Sequence, residues 1–147
     1  MMIEITDGNA HLTIENIEVL ERPSLAGEYD WSDGVAMTIQ TKVRRFQAVF
    51  DEVMYLGELH GFHQDLQRLY TELKGGACLK VMEGFLELTA EINSQGHIHW
   101  SVRLADTSGS ANMARLMFEM HADQSYLPAL LAQIEAVLEM FPVKGQP

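Results

Sequence analysis

The sequence predicts an α+β fold in which two helices pack on one antiparallel sheet of about six strands. Segments with period-2 alternation of apolar residues are interrupted twice by long segments with a helical period. The connections between the predicted strands are short enough for hairpins, which favours antiparallel pairing. The predicted order is therefore β-β-β-α-β-β-β-α. A chain of 147 residues is a typical size for one domain, so residues 1–147 are assigned to a single domain.

The first three predicted strands precede the first helix. Leu12 and Ile14 alternate with polar residues, the phase slips at Asn16, and Ile17 and Val19 resume the pattern, which predicts a strand with a bulge. The next two strands follow from alternating apolar residues at Val35, Met37 and Ile39 and at Phe46, Ala48 and Phe50. A helix is then predicted from apolar residues at helical spacing, namely Leu59, Phe62, Leu66, Leu69, Tyr70 and Leu73. Its start lies between Tyr55 and His60, and Gly75-Gly76 ends it.

The next two strands form a hairpin whose register follows from parity. Apolar residues occupy even positions on both strands, so a shared inner face requires a loop of odd length, and Gly96 suits the left-handed position of a three-residue loop. The predicted inner pairs are Ile92–Ile98, Ala90–Trp100 and Leu88–Val102, and the outer pairs are Glu91–His99 and Glu87–Arg103. A small-residue loop over 106–112, a strand through Leu116, Phe118 and Met120, and a helix from Asp123 or Ser125 to Pro142 complete the chain.

The charge of the chain restricts its partners. Twenty-one acidic residues against ten basic ones leave a formal net charge of −11. Such a field repels nucleic acid and anionic membranes and attracts a basic protein. No stretch approaches the 18 apolar residues of a membrane span, and the N-terminus lacks the features of a signal peptide. A single cysteine fits the cytosol but also permits a periplasmic protein without disulfides. Because a membrane span and signal-peptide features are missing as well, we expect a cytoplasmic protein by elimination.

No motif for catalysis is present in the sequence. Nucleotide-binding glycine loops and a nucleophile elbow are missing, and the apolar setting of Cys78 predicts a buried, inert thiol. The pairs His60/His63 and His97/His99 have no third ligand at a recognised spacing, and we expect a solvated helix start and an exposed strand face, respectively. We therefore expect no enzyme, no catalytic residue, no metal site and no cofactor.

A partner-binding surface is predicted from two acidic regions. Two aromatic residues in Tyr29-Asp30-Trp31 lie between acids, a combination that can anchor a protein interface. The same segment could instead fold back and cap the core. Two further acids lie on the exposed face of a predicted strand. The predicted partner-binding residues are Glu28, Asp30, Trp31, Asp33, Glu87 and Glu91.

The layout of these segments resembles that of the WapI-type immunity proteins of bacterial polymorphic toxin systems. The resemblance rests on short motifs spread over nearly the whole chain. They are Leu12-Thr13-Ile14, Tyr29-Asp30-Trp31, Phe46-Gln47-Ala48, the Leu-rich helix, the segment from Asp123 to Leu127, and Phe141-Pro142-Val143. The resemblance implies a cytosolic protein that binds and blocks a toxin, for example a nuclease, and it implies no catalytic residues.

Three functions are consistent with the sequence. The first is a module that neutralises a basic toxin by direct binding, as a monomer or a homodimer. The second is a small-ligand-binding protein or enzyme of undescribed type, which would need a deep pocket with convergent polar groups. The third is a structural subunit that forms oligomers through a strand edge or a helix face.

Overall fold

The fold consists of two four-stranded antiparallel sheets, each followed by a helix. The structure is a computed structural model that describes residues 1–106 and 114–144. The first sheet contains β1 (Met2–Thr6), β2 (Ala10–Val19), β3 (Gly34–Val43) and β4 (Phe46–Tyr55), and α1 (Leu56–Glu72) follows it. The second contains β5 (Gly76–Lys80), β6 (Leu86–Ile92), β7 (His97–Asp106) and β8 (Ala114–Asp123). A short 3-10 helix (Gln124–Tyr126) then leads into α2 (Leu127–Met140).

The prediction of a single sheet of about six strands is wrong. The strands form two separate sheets, each in chain order, so the correct element order is β-β-β-β-α-β-β-β-β-α. Sequence reasoning missed β1 and β5 because each has five residues and only two buried apolar side chains. These are Ile3 and Ile5 in β1, and Ala77 and Leu79 in β5. Alternation over so few positions is a weak signal. The α+β class, the antiparallel pairing and the two helices are confirmed.

The bulge predicted at Asn16 is confirmed. The register between β2 and β3 shifts between Glu15 and Glu18, and Asn16 has a φ of +54°. Asparagine tolerates this left-handed conformation better than most residues. The extra residue returns Ile17 and Val19 to the side that Leu12 and Ile14 occupy, so the whole strand contributes to the core.

The β6–β7 hairpin has the predicted register. Ile92 lies opposite Ile98, Ala90 opposite Trp100, and Gly96 takes the left-handed conformation with a φ of +82°. The buried side chains of this hairpin point toward the helices, and the opposite side of the sheet faces solvent. We call that solvent-facing side the outer face of the second sheet. Its side chains include Glu87, Thr89, Glu91, His97, His99, Ser101, Arg103, Met117, Glu119 and His121.

The two sheets and the two helices share one hydrophobic core. The ring of Phe62 in α1 lies edge-on to that of Trp100 in β7, with 6.4 Å between centroids. Phe50 in β4 contacts Phe85, just before β6, at the same centroid distance. These contacts join the halves of the chain, so we expect them to unfold together.

The helix boundaries agree with the predictions, but the environment of Cys78 does not. α1 begins at Leu56 and is followed by Leu73 in the left-handed conformation. The Ser125 N–H donates to Asp123 Oδ1 at 2.9 Å where the chain enters the final helical segment. Cys78 is exposed rather than buried, because it points outward on β5 between Ala77 and Leu79. Apart from Asp106, the loop predicted over 106–112 lies outside the described residues.

Candidate protein-binding surface

Residues 20–33, which connect β2 to β3, form a long segment without regular secondary structure, here called the acidic loop. The other strand connections that the structure describes within each sheet are tight turns, as at Arg44-Arg45 between β3 and β4. Irregular loops longer than about 12 residues are uncommon in compact domains and are usually either functional or linker segments. The acidic loop is therefore the first candidate for a functional surface.

Tyr29 fastens the acidic loop to the C-terminal segment. Its N–H donates to Pro142 O at 2.7 Å, and its carbonyl accepts from the Lys144 N–H at 2.8 Å. Its ring packs edge-on against buried Phe141, with 5.6 Å between centroids. These contacts hold the loop at Tyr29 in a defined position against the C-terminal segment.

The end of the acidic loop closes the start of α1. The Leu56 N–H donates to Asp33 O at 2.9 Å, and the Gly57 N–H donates to Trp31 O at 2.8 Å. These two N–H groups would otherwise lack partners at the helix terminus. A Cβ atom added at Gly57 would lie 3.1 Å from Trp31 O, so a glycine at this position permits the close approach.

Trp31 packs against His60 rather than projecting freely into solvent. The ring centroids lie 4.2 Å apart, and both residues are half-buried. His60 Nε2 is buried without a hydrogen-bond partner among the described residues. Burial, aided by nearby His63, lowers the pKa of His60. The prediction of a solvated helix start is therefore wrong at His60. The second histidine of the pair, His63, contacts α2, with 3.1 Å between its Nε2 and Glu135 Oε1.

Acidic groups concentrate on and beside the acidic loop. Between residues 15 and 33 the chain has six carboxylates and a single basic residue, Arg22. Three of those carboxylates belong to the predicted Glu28, Asp30 and Asp33. Leu20 and Leu25 are 59% and 110% exposed in the same segment. The segment therefore presents exposed apolar side chains in the same stretch of chain as its carboxylates.

Glu87 and Glu91 lie on a different surface, the outer face of the second sheet. Glu87 Oε2 lies 3.7 Å from Arg103 Nη1. Lys80 on the neighbouring strand β5 lies directly opposite Glu87 in the sheet register. Glu91 lies opposite His99. The helices cover the other side of this sheet, whereas the acidic loop contacts the helix ends. The structure thus brings Glu28, Asp30, Trp31 and Asp33 together and places Glu87 and Glu91 elsewhere.

The match to a known family decides the class of this protein. The model of the immunity protein WapI-like family matches residues 2–142, nearly the whole chain. The chain belongs to the WapI-like immunity protein family. Membership of this family implies a toxin as the binding partner.

Solved structures show a likeness of fold to this immunity-family chain. The structure of the plant transcriptional regulator PBF-2 is 14% identical and has a TM-score of 0.51, with 96% of this chain and 81% of that chain covered. WHY3 from Arabidopsis thaliana is also 14% identical, with a TM-score of 0.49 and coverage of 96% and 88%. At this identity the likeness concerns the fold alone. No curated protein matches the sequence significantly.

Two of the larger depressions on the described part of this immunity-family protein are open troughs. One of about 550 Å³ lies beside β4 and is lined by Asp51, Glu52 and Glu83 among others. Burial, followed by the charges of Asp106 and Glu83, raises the pKa of Glu52 there. Another trough, of about 520 Å³, lies on the outer face of the second sheet. Within residues 1–106 and 114–144, no helix is both long and apolar enough to cross a bilayer.

Sequence reasoning missed one group of side chains on the outer face. His99 on β7 lies close to Glu119 and His121 on β8. The histidine pairs considered from the sequence lay within single elements, whereas this group forms only when β7 pairs with β8. The alternation of Leu116, Phe118 and Met120 was the available signal, because it places Glu119 and His121 on the outer face.

Proposed function

We propose that this protein neutralises a basic toxin domain in the cytoplasm by direct binding, and that the acidic loop contributes the central contacts. The observation that carries the proposal is the combination of six carboxylates over residues 15–33 with the exposed side chains of Leu20 and Leu25. The carboxylates would steer a basic partner toward the loop, and the leucines would provide apolar area to bury.

A nuclease toxin fits this chemistry well. Enzymes that act on nucleic acid use basic surfaces to bind phosphates, and an acidic inhibitor is complementary to such a surface. The same net charge of −11 opposes binding of nucleic acid by this chain itself. We therefore propose a protein partner and a binding role rather than an enzymatic one, with the protein acting as a monomer or a homodimer.

The backbone contacts of the acidic loop support its role as a rigid binding element. Tyr29 is fixed to the segment after α2, and Asp33 to the start of α1. The largely exposed residues 21–28 lie between Tyr29 and Leu20, whose N–H donates to Gly34 O at 2.9 Å. They can contact a partner without ordering a flexible chain, which lowers the entropic cost of association. Glu87 and Glu91 remain proposed contacts of a second surface. The charge of Glu87 is already offset by Arg103, so we expect the smaller contribution from that side.

The proposal predicts that a toxin domain is encoded beside this gene in the native host, and the test uses that domain. Wild-type protein, co-expressed in that host, should restore growth that the toxin stops, and purified protein should bind the toxin less tightly as salt increases. Glu28→Lys should weaken binding at low salt by at least about tenfold, or about 1.4 kcal/mol. Glu72→Lys, at an exposed position on α1, makes the same change in charge and should leave affinity within about twofold.

The outcomes separate the function from the surface. If neither growth nor binding responds to the wild-type protein, the proposed function is wrong. If wild-type protein protects and Glu28→Lys binds as tightly as wild type, the function stands and the acidic loop is not the contact surface. Glu91→Lys then shows whether the outer face of the second sheet is that surface.

A further inference from the structure

Three side chains with metal-binding chemistry meet on the outer face of the second sheet. His99 on β7 lies directly opposite His121 on β8. Glu119 precedes His121 by two residues, so both point to the same side of the strand. A ligand atom from each of the three lies within 4.8 Å of the other two.

The distances are close to those of a metal site. His99 Nε2 lies 3.2 Å from Glu119 Oε1, and the rings of His99 and His121 stack with 4.9 Å between centroids and 28° between planes. Around a tetrahedral zinc ion with bonds of about 2.1 Å, ligand atoms are about 3.4 Å apart. His99 and Glu119 already have this spacing, and the His121 ligand atom, which lies within 4.8 Å of both, would have to meet the same spacing when the ion binds.

We propose that His99, Glu119 and His121 bind a divalent transition-metal ion, with Zn²⁺ as the reference ion. Two imidazoles and one carboxylate are a ligand set that suits zinc, nickel and copper, whereas magnesium and calcium prefer sets made only of oxygen. The side chains of His99 and Glu119 are 37% and 64% exposed. Three protein ligands on an open surface leave a coordination position for water or for a donor group from another protein.

The surroundings of the three side chains favour a bound cation. Glu91 lies opposite His99 on the other neighbouring strand and adds negative charge. The His121 N–H donates to Asp7 Oδ2 at 3.2 Å, which ties β8 to the turn between β1 and β2. The net charge of −11 raises the local concentration of divalent cations around the whole molecule. The backbone that carries the ligands is therefore in place before the ion binds.

The experiment measures metal binding alone, without any toxin. Chelator-treated full-length protein is titrated with zinc chloride by calorimetry, and histidine ring signals are followed by NMR. We expect saturable binding at a single site, with ring signals of His99 and His121 moving first. His99→Ala and His121→Ala should each weaken binding by more than about tenfold, and Glu119→Gln by about tenfold. His11→Ala, an exposed histidine on β2, is the matched control and should bind zinc as wild type does.

Any of three results would overturn the proposal. One is unchanged zinc affinity in the His99→Ala/His121→Ala double variant, which would place the ion elsewhere. The second is the absence of saturable zinc binding, and the third is magnesium binding of equal strength at the same side chains. The variants alter exposed or half-buried positions, so melting temperatures close to that of wild type in the absence of metal should show that all of them are folded. Failure of this proposal would leave the toxin-binding proposal unaffected.

Discussion

The connection between the second and third strands differs sharply between the two sheets. In the second sheet β6 and β7 are joined by a tight turn that ends at Gly96, and parity alone predicts its register. In the first sheet β2 and β3 are joined by the acidic loop, whose path depends on Tyr29, Trp31 and the helix ends. The same arrangement of strands therefore carries a plain turn in one half and a long irregular segment in the other. Our proposal places the partner-binding function in the segment that is added to the fold.

The two halves differ at the surface but share one core. Removing a large side chain from that core should therefore give the largest loss of stability. Trp100 is 2% exposed and packs on Phe62 of α1. Trp100→Ala should lower the free energy of unfolding by about 3–5 kcal/mol. Ser101→Ala, at the exposed neighbouring position, should change it by less than about 0.5 kcal/mol.

Each half of the chain contains one tryptophan, so unfolding of the first half can be followed separately in Trp100→Ala. In Trp100→Ala the remaining tryptophan, Trp31, reports on the first half during urea denaturation. We expect its fluorescence and the far-UV circular dichroism to change at one common, lowered midpoint, because both halves share one core. A Trp31 transition that stays at the wild-type midpoint would show instead that the halves unfold independently.

A smaller effect is expected in the pH dependence of stability, which tests the contact between His60 of α1 and Trp31 of the acidic loop. The pKa of His60 is lowered, so the unfolded chain binds more protons than the native one once the pH falls below the unfolded value. The contribution of neutral His60 to the free energy of unfolding is therefore fully present above the ordinary pKa of 6.5. It is lost as the pH falls toward the lowered pKa of His60 in the folded protein. The free energy of unfolding should change with pH by much less than the limit for uptake of one full proton, which is about 1.4 kcal/mol per pH unit.

The measurement compares His60→Phe with wild type by urea denaturation between about pH 7.5 and about pH 5.5. The phenylalanine keeps an aromatic ring against Trp31 and removes the buried Nε2, so its stability should vary less with pH over this range. Gln64→Phe, at an exposed position of the same helix, should keep the wild-type slope. An unchanged slope in His60→Phe would assign the pH dependence to other groups.

What the sequence could predict depended on how local the determining interactions are. The Asn16 bulge and the pairing of Ala90 with Trp100 follow from alternation within one or two neighbouring segments. β1 and β5 were missed because each offers only two buried apolar residues, and the division into two sheets depends on packing between distant elements. The contact of Trp31 with His60 and the approach of His99 to Glu119 likewise depend on tertiary structure.

Hydrogen exchange in the complex with the toxin domain tests most directly the claim that the acidic loop is the binding element. We expect amides of residues 21–28 to exchange at least about tenfold more slowly in the complex than in the free protein. Amides on the free edge of β8, over residues 115–119, should exchange at the same rate in both states. Unchanged exchange over residues 21–28 together with protection at β8 would contradict the claim and place the partner on the second sheet.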